Sequence, residues 1–302
     1  MLKLRRVLLL ILIFTLLIST NVWGAVFLHG VEIPTLFINN QNYIGNEQLR
    51  LFGVDGEVDE DLISLREAAD VCIMDKPRID RGTLTITPMG NVIEAVYFEP
   101  VNYSRTVLAV FGLHGYEDWY PKDGQLLVDT ANAAIEDFMG NIELIGDTRY
   151  IIVPCANPDG LIYGYTENGF GRCNAEGIDL NRDFDYNWGK IYNPRWKTGD
   201  MPFSAAESRA LRDLVLRENP DIVLDFHGWL DCVYTKNMDA ELIRYKLNLG
   251  NTKPALPGFK ESQGYFYAWA GKYAKSALIE LKEGKDVGYY KNQVLTILTE
   301  ID

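Results

Sequence analysis

The stretch Val107-Leu108-Ala109-Val110-Phe111-Gly112-Leu113-His114-Gly115-Tyr116-Glu117 joins an apolar run, typical of a buried strand, to a turn that carries a histidine and a glutamate three positions apart. One short loop can therefore bring an imidazole and a carboxylate to the same ion. Zinc takes nitrogen and oxygen ligands at roughly 2.0 to 2.2 Å, and a catalytic zinc site uses three protein ligands with a fourth position open. A third ligand is expected elsewhere in the chain.

His227 is the candidate for that third ligand. The chain has three histidines, and His227 follows another apolar run, residues 222–226. Both histidines thus stand at the carboxyl end of a predicted strand, where open α/β sheets place their ligands. His29 stands alone near the front of the chain and is expected to be solvated or structural.

Further motifs follow the first pair in a characteristic order. They are Asn157-Pro158-Asp159-Gly160, Gly177-Ile178-Asp179-Leu180-Asn181-Arg182, Pro202-Phe203-Ser204-Ala205-Ala206-Glu207, the run before His227, and Ala277-Leu278-Ile279-Glu280-Leu281. With these motifs the chain resembles the zinc metallocarboxypeptidase family, and within it the bacterial branch that trims cell-wall peptides. The resemblance spans about residues 87–302. It implies one Zn²⁺ per chain, bound by His114, Glu117 and His227.

The resemblance also implies which residues carry the chemistry. Glu280 is the predicted general base, although the charged residues that follow it also fit a surface glutamate at a strand end. Arg172 is predicted to face the scissile carbonyl, where a cation stabilises the developing oxyanion. A solvated loop cation is the alternative for Arg172.

Substrate binding is assigned to a second group of residues. Asn181 and Arg182 are predicted to anchor the terminal carboxylate of a peptide. Asp179 matches the family position that orients a zinc-binding histidine, and it also fits a loop cap. Either Tyr265 or Tyr267 is the candidate for the tyrosine that covers the substrate, and both also fit a hydrophobic core.

The ends and the charge of the chain limit where it acts. Lys3, Arg5 and Arg6, an apolar stretch and Val22-Trp23-Gly24 predict an export signal over residues 1–24. An uncleaved membrane anchor is the alternative, and it is the only route by which we expect contact with a membrane. The net charge of −13 argues against nucleic acid as a partner. We expect a monomer, secreted or associated with the cell envelope, that acts on peptides or peptidoglycan fragments.

Two domains are predicted behind the signal. Residues 25–86 show short β-type runs around a short helix at 61–70, and they loosely resemble the small front domains named after copper amine oxidases. Residues 87–302 alternate strands and helices, which predicts an α/β domain with a mixed, mostly parallel sheet flanked by helices. Ser204 and Glu207 predict a capping box at the start of one of these helices. The cysteines 72, 155, 173 and 232 lack the spacing of a metal site, and their disulfide state is left open.

The leading functional hypothesis is a secreted zinc-dependent metallocarboxypeptidase that cleaves next to a free carboxylate, in cell-wall stem peptides or in other extracellular peptides. One alternative is a zinc deacylase of the aspartoacylase type, which shares the opening motif. Another is a non-catalytic wall-binding protein that keeps the fold.

Overall fold

The computed structural model describes residues 77–163, 171–252 and 263–301, together with five short strands nearer the front of the chain. By internal contacts the chain divides into two units, residues 1–76 and 77–302. The predicted export signal, His29's surroundings and Cys72 lie outside the described residues.

The first unit contains only antiparallel pairs among its described residues. β1 pairs with β2, while β3, β4 and β5 form a three-stranded sheet. The predicted helix at 61–70 is wrong over its first residues, because 62–64 pair with β4 as a strand. The strands are β1 Ala25–Leu28, β2 Val31–Pro34, β3 Leu36–Ile38, β4 Gln41–Gly45 and β5 Leu62–Ser64.

The second unit is built on one mixed sheet, in the order β11-β10-β8-β9-β7-β6, with β12 paired to β10. β8 runs parallel to both β9 and β10, whereas β7 and β6 are antiparallel to their neighbours. The predicted mixed, mostly parallel sheet is confirmed. Its strands are β6 Arg78–Ile86, β7 Val92–Glu99, β8 Arg105–Phe111, β9 Thr148–Val153, β10 Ile222–Lys236, β11 Asn251–Thr252 and β12 Lys275–Lys282.

Helices cover both faces of this sheet. β8 is buried on both sides, and its residues 107–111 are accordingly apolar without alternation. Val107, Ala109 and Phe111 pack into the cluster that includes α1 and α6, while Leu108 and Val110 pack into the one that includes α3 and α5. The helices are α1 Gly124–Gly140, α2 Pro158–Tyr163, α3 Ala206–Glu218, α4 Ala240–Lys246, α5 Phe266–Ala270 and α6 Val287–Glu300.

β10 folds back around β12. Its first half pairs with β12 in increasing register, from Ile222 opposite Lys275 to Trp229 opposite Lys282. Its second half pairs in decreasing register, ending with Lys236 opposite Ser276. β12 therefore lies between the two arms of β10, and this reversal was not predicted from the sequence.

The predicted boundary at 86/87 is wrong by ten residues. Arg78–Ile86 forms the edge strand β6, which pairs with β7 along its length, and the division of the chain falls after Lys76. The turn that follows β6 is also tied to the α/β unit, since the buried Asp159 accepts hydrogen bonds from Thr87 Oγ1 at 2.6 Å and Asn91 Nδ2 at 2.7 Å. A catalytic unit starting at residue 87 would lack this strand.

The predicted capping box is also wrong. The residue preceding α3 is Ala205, and Ser204 instead hydrogen-bonds the backbone of Met201. The cap comes from the distant Asp183, whose Oδ2 accepts from Ala205 N at 2.9 Å and Ser208 Oγ at 2.5 Å. Asp183 takes this role because its Oδ2 reaches one of the free N–H groups that a helix leaves at its N-terminus, that of Ala205.

Among the described residues, none of the helices has both the length and the apolar composition needed to cross a membrane.

Cys155, Cys173 and Cys232 are free thiols, and burial raises the pKa of the Cys155 thiol to about 12.

Candidate active site

Three predicted ligands meet where β8 and β10 end. Phe111 lies opposite Phe226 in the parallel pair, so the loop after β8 and the middle of β10 leave the same edge of the sheet. His114, Glu117 and His227 are all buried there, and one donor atom from each lies within 4.8 Å of the others. The structure thus brings together residues that are more than a hundred positions apart.

The donor atoms lie close enough together for one ion to contact all three side chains. His114 Nδ1 is 3.0 Å from Glu117 Oε2, and His227 Nδ1 is 3.1 Å from Glu117 Oε1. Two imidazole nitrogens and one carboxylate also leave a coordination position open, as a catalytic site requires.

Each histidine also lies next to a carboxylate at Nε2, the ring nitrogen that does not contact Glu117. His114 Nε2 lies 2.9 Å from Asp179 Oδ1, and His227 Nε2 lies 2.9 Å from Asp225 Oδ1. The Asp179 carboxylate at Nε2 of His114 favours the tautomer that carries its proton there, which leaves the Nδ1 lone pair of His114 for a metal. Asp225 was missed from the sequence, although a charged residue inside an apolar strand, two positions before His227 and on the same face, was a usable signal.

The charges at the cluster favour a cation. Burial alone would raise the pKa of Glu117, but His114 and His227 lower it to about 2. Burial lowers the pKa of His227, yet Asp225 and Glu117 raise it well above its usual range. Glu117 is therefore ionised at neutral pH, and the cluster is poised to hold positive charge.

Asp179 combines the two roles that the sequence left open. Besides its contact with His114, its Oδ1 accepts from Asn181 N at 2.9 Å and caps the short 3₁₀ turn Leu180–Arg182. Its Oδ2 lies 3.3 Å from Arg172 Nε. Burial acts against ionisation, but Arg172 and His114 hold the pKa of Asp179 well below its usual range.

Glu280 lies beside the ligand cluster. It is directly opposite His227 in the β10–β12 pair and opposite Cys232 on the returning arm. Its Oε2 is enclosed and makes no hydrogen bond among the described residues. Burial raises the pKa of Glu280 to about 8, and the negative charge of Glu117 acts in the same direction. An enclosed carboxylate oxygen without a partner suits a group that acts on a reactant.

The predicted catalytic Arg172 and the predicted substrate-binding Arg182 are both buried. Arg172 contacts Asp179 and, through Nη1, lies 3.6 Å from Asp118. Arg182 donates from Nη1 to the Asn181 carbonyl at 2.7 Å, and its guanidinium lies 4.2 Å from the centre of the Tyr265 ring.

The Asn181 side chain turns into the protein. Its Oδ1 accepts from Phe266 N at 2.9 Å, and its Nδ2 is 3.3 Å from His227 Nε2. Asn181 therefore supports a metal ligand and the start of α5, while its predicted contact with a substrate carboxylate stays a prediction.

Tyr265 and Tyr267 are both buried next to Leu278, with Tyr234 packed against the same cluster. The contact with Arg182 places Tyr265 at the predicted carboxylate site, whereas Tyr267 contacts Tyr234 at 6.2 Å between ring centres. Tyr265 and Tyr267 thus belong to one aromatic cluster, and the question of which of them covers the substrate stays open.

The Asn157-Pro158-Asp159-Gly160 motif ties the catalytic loops together. Asn157 Nδ2 donates to the carbonyls of Leu113 at 3.1 Å and Arg172 at 3.4 Å, and Asn157 Oδ1 accepts from Gly160 N. The loops approach so closely that a Cβ on Gly115 would lie 2.4 Å from the Gly160 carbonyl carbon. The motif thus holds the ligand loop against the Arg172 loop.

Asp123 joins the two metal-binding segments and was missed from the sequence. It is fully buried at the N-terminus of α1, and its Oδ1 accepts from Glu117 N at 2.5 Å. Its Oδ2 accepts from Trp119 N and from the Trp229 indole, both at 2.8 Å. Glu117 is a candidate ligand and Trp229 lies two residues after His227, so one carboxylate fixes both segments. The contact with Trp229 spans 106 positions, and no local pattern predicts it.

Comparisons with known proteins identify the family of this chain. Residues 99–287 match the family described as zinc carboxypeptidase. Bacteriocin BCN5 of Clostridium perfringens is 34% identical over 225 residues, which cover 70% of this chain and 25% of that protein. Murein peptide amidase A of Escherichia coli K12 is 37% identical over 98 residues, 28% of this chain and 38% of the amidase. An inactive metallocarboxypeptidase of Talaromyces stipitatus is 26% identical over 174 residues, 52% of this chain and 28% of that protein. The chain thus spans well under half of each of these relatives.

Solved structures show the same fold. Carboxypeptidase A from Helicoverpa armigera superposes with a TM-score of 0.60 at 18% identity, covering 77% of this chain and 70% of that one. The murein-tripeptide amidase from Escherichia coli O157 gives a TM-score of 0.53 at 23% identity, with 73% and 90% covered. Because the family match covers more than half of the chain, and its limits enclose every residue of the cluster, this chain belongs to the zinc carboxypeptidase family.

Proposed function

We propose that this chain is a secreted zinc-dependent metallocarboxypeptidase that hydrolyses the peptide bond next to a free carboxylate, in peptidoglycan stem peptides or other extracellular peptides. The observation that carries the proposal is the buried cluster of His114, Glu117 and His227 with Glu280 beside it, whose Oε2 has no hydrogen-bond partner among the described residues. The predicted export signal supports action outside the cytoplasm. The similarity to a murein peptide amidase supports a cell-wall peptide as the substrate.

A zinc ion held by this cluster supplies Lewis-acid chemistry, polarising the scissile carbonyl and activating water. Glu280 takes a proton from the attacking water as the new C–O bond forms, and it delivers that proton to the amide nitrogen as the C–N bond breaks. The raised pKa of Glu280 makes its carboxylate a stronger base than an exposed glutamate.

Two arginines complete the reaction geometry. Arg172 donates to the carbonyl oxygen as that oxygen gains negative charge, and Asp179 holds the guanidinium in place. Arg182, packed on Tyr265, binds the terminal carboxylate through the planar fork that suits carboxylates. Cleavage next to a free carboxylate follows from this second cation.

The complete set of residues favours catalysis over a binding role. Some relatives are inactive metallocarboxypeptidases, so the fold alone does not imply turnover. Here the three candidate ligands, both histidine-supporting carboxylates and Glu280 are together in one site. A protein that only bound the wall would have no need for the enclosed carboxylate of Glu280.

The test is incubation of the zinc-loaded protein with a cell-wall tripeptide, an N-blocked dipeptide and an N-acyl amino acid, each with and without chelator. We expect chelator-sensitive release of the terminal residue from the tripeptide. Cleavage of the blocked dipeptide in preference to the tripeptide would indicate a general carboxypeptidase, and cleavage of the acyl amino acid alone a deacylase. No turnover of any substrate at full zinc occupancy would contradict the proposal.

A further inference from the structure

A third guanidinium, that of Arg195, lies at the rim of the site. Asp118 directly follows the ligand Glu117, and its two carboxylate oxygens face two different arginines. Oδ2 is 3.6 Å from Arg172 Nη1, while Oδ1 forms an ion pair with Arg195 Nη2. One carboxylate therefore bridges the arginine assigned to the scissile carbonyl and an arginine that the mechanism does not use.

The contacts place the three guanidiniums in an order. Asp179 caps the turn Leu180–Arg182, and its Oδ2 lies 3.3 Å from Arg172 Nε, so one carboxylate connects Arg172 with the turn that carries Arg182. Arg195 is connected to Arg172 through a different atom, Nη1, by way of Asp118. The order is Arg182, Arg172, Arg195. A peptide with its terminal carboxylate at Arg182 and its scissile carbonyl at Arg172 therefore continues, toward its N-terminal part, in the direction of Arg195.

The Arg195 side chain is held in position but keeps donors available. Its guanidinium packs against the rings of Tyr116, at 5.5 Å, and Trp196, at 5.8 Å. The side chain is 25% exposed and that of Asp118 is 48% exposed, so solvent reaches the pair. Guanidinium has five N–H donors, and within the described part of the chain Asp118 is the only carboxylate that forms an ion pair with it. Stacking fixes the plane of the fork, which lowers the cost of binding a second carboxylate.

The net charge of the whole protein bears on which substrates a cation at this position would help to bind. With a net charge of −13, the protein repels an acidic peptide at long range, so an acidic substrate needs cations at the site itself. Arg172 and Arg182 account for the scissile carbonyl and the terminal carboxylate. From these contacts we propose that Arg195 is a specificity-determining residue, which binds a second carboxylate of the substrate on the N-terminal side of the scissile bond. The inference rests on the proposed function, and it narrows the substrate to an acidic peptide.

The test compares matched peptides on the full, zinc-loaded chain. One pair is acetyl-alanyl-glutamyl-alanine and its glutaminyl counterpart, with the charge on the residue whose carbonyl is cleaved. The other pair is acetyl-glutamyl-alanyl-alanine and its glutaminyl counterpart, with the charge one residue earlier. We expect the parent to prefer the glutamyl peptide of at least one pair by about 10- to 100-fold in kcat/KM, the usual range for a hydrogen bond to a charged group.

Arg195→Met should abolish this preference while changing the rate on the glutaminyl peptides by no more than about twofold, and Arg195→Lys should restore part of it. Arg212→Met is the matched control. Arg212 also pairs with an aspartate, Asp213 at 2.7 Å, and also lies over an aromatic ring, Phe203 at 5.1 Å, but on α3. The control should keep the full preference.

Three results would overturn the inference. The first is that the parent shows no preference for the glutamyl peptides. The second is that Arg195→Met loses kcat/KM equally on both members of a pair, which would make Asp118–Arg195 a purely structural ion pair. The third is that Arg212→Met loses the preference. If the parent cleaves none of the peptides, the proposed function fails instead. In that case the dissociation constants of the same peptides for Glu280→Gln, measured by calorimetry, still test Arg195, and equal values for glutamyl and glutaminyl peptides contradict its role.

Discussion

Replacing Asp123 by Asn removes one charge and one acceptor from the buried carboxylate that joins the two metal-binding segments. The Asn oxygen can still accept either from Glu117 N or from Trp119 N and the Trp229 indole, but its NH₂ group then faces the remaining donors. A buried donor left without an acceptor costs about 1–3 kcal/mol. With one or two such donors, we expect the free energy of unfolding to fall by about 2–4 kcal/mol.

The same change should weaken zinc binding. Glu117 is a proposed ligand whose backbone N–H is held by Asp123, so its carboxylate loses a fixed position. Loss of an outer partner of this kind costs about 10- to 100-fold in metal affinity. Zinc affinity is measured by competition with a chromogenic chelator on metal-free, folded protein, and stability by denaturant unfolding.

Asp129→Asn is the control for this experiment. Asp129 lies on the same helix, α1, but is exposed and accepts one hydrogen bond, from Gln125 at 2.8 Å. Asp129→Asn should change neither the zinc affinity nor the free energy of unfolding by a measurable amount. If Asp123→Asn binds zinc within twofold of the parent, Asp123 does not position Glu117 and the reasoning is refuted.

Three further changes separate catalysis, binding and stability. Glu280→Gln should lower kcat by roughly 10² to 10⁴ with little change in KM. Since Glu280 works as a carboxylate, parent kcat/KM should rise with pH through a pKa between its ordinary 4.5 and about 8, and a variant that kept this rise would contradict its role as base. Arg182→Met should lower kcat/KM on a free-acid peptide far more than on its amide, and equal losses would make Arg182 structural. For Asp183, burial raises the pKa to about 6, so its ionisation makes the folded state less stable as pH rises from about 4 to 6. In denaturant unfolding, the free energy of unfolding of Asp183→Asn minus that of the parent should therefore increase between pH 4 and 7. A decrease of this difference over the same range would contradict the raised pKa of Asp183.

Local patterns were enough to predict the ligand cluster. His114 and His227 each follow an apolar run of strand length, and parallel strands in one sheet end at the same edge. The pairing of β8 with β10 then brings the histidines together without further information. The mixed, mostly parallel sheet was predicted from the alternation of strand and helix patterns along residues 87–302.

Residues set by long-range contacts could not be predicted. Asp123 acts on Trp229, 106 positions away, and Asp183 caps a helix that begins beyond Ser204, the residue that fitted the local capping rule. The edge strand β6 belongs to the α/β unit only because β7 pairs with it. In each case the deciding partner lies outside the sequence window that a local pattern can use.

Binding of one zinc ion by His114, Glu117 and His227 is tested by the zinc content of the purified parent and of His227→Ala, by elemental analysis on samples whose circular dichroism matches. We expect about one zinc per chain in the parent and little in the variant, because only two ligands remain in it, whereas the sheet does not depend on the metal. Full zinc occupancy in His227→Ala would contradict the assignment.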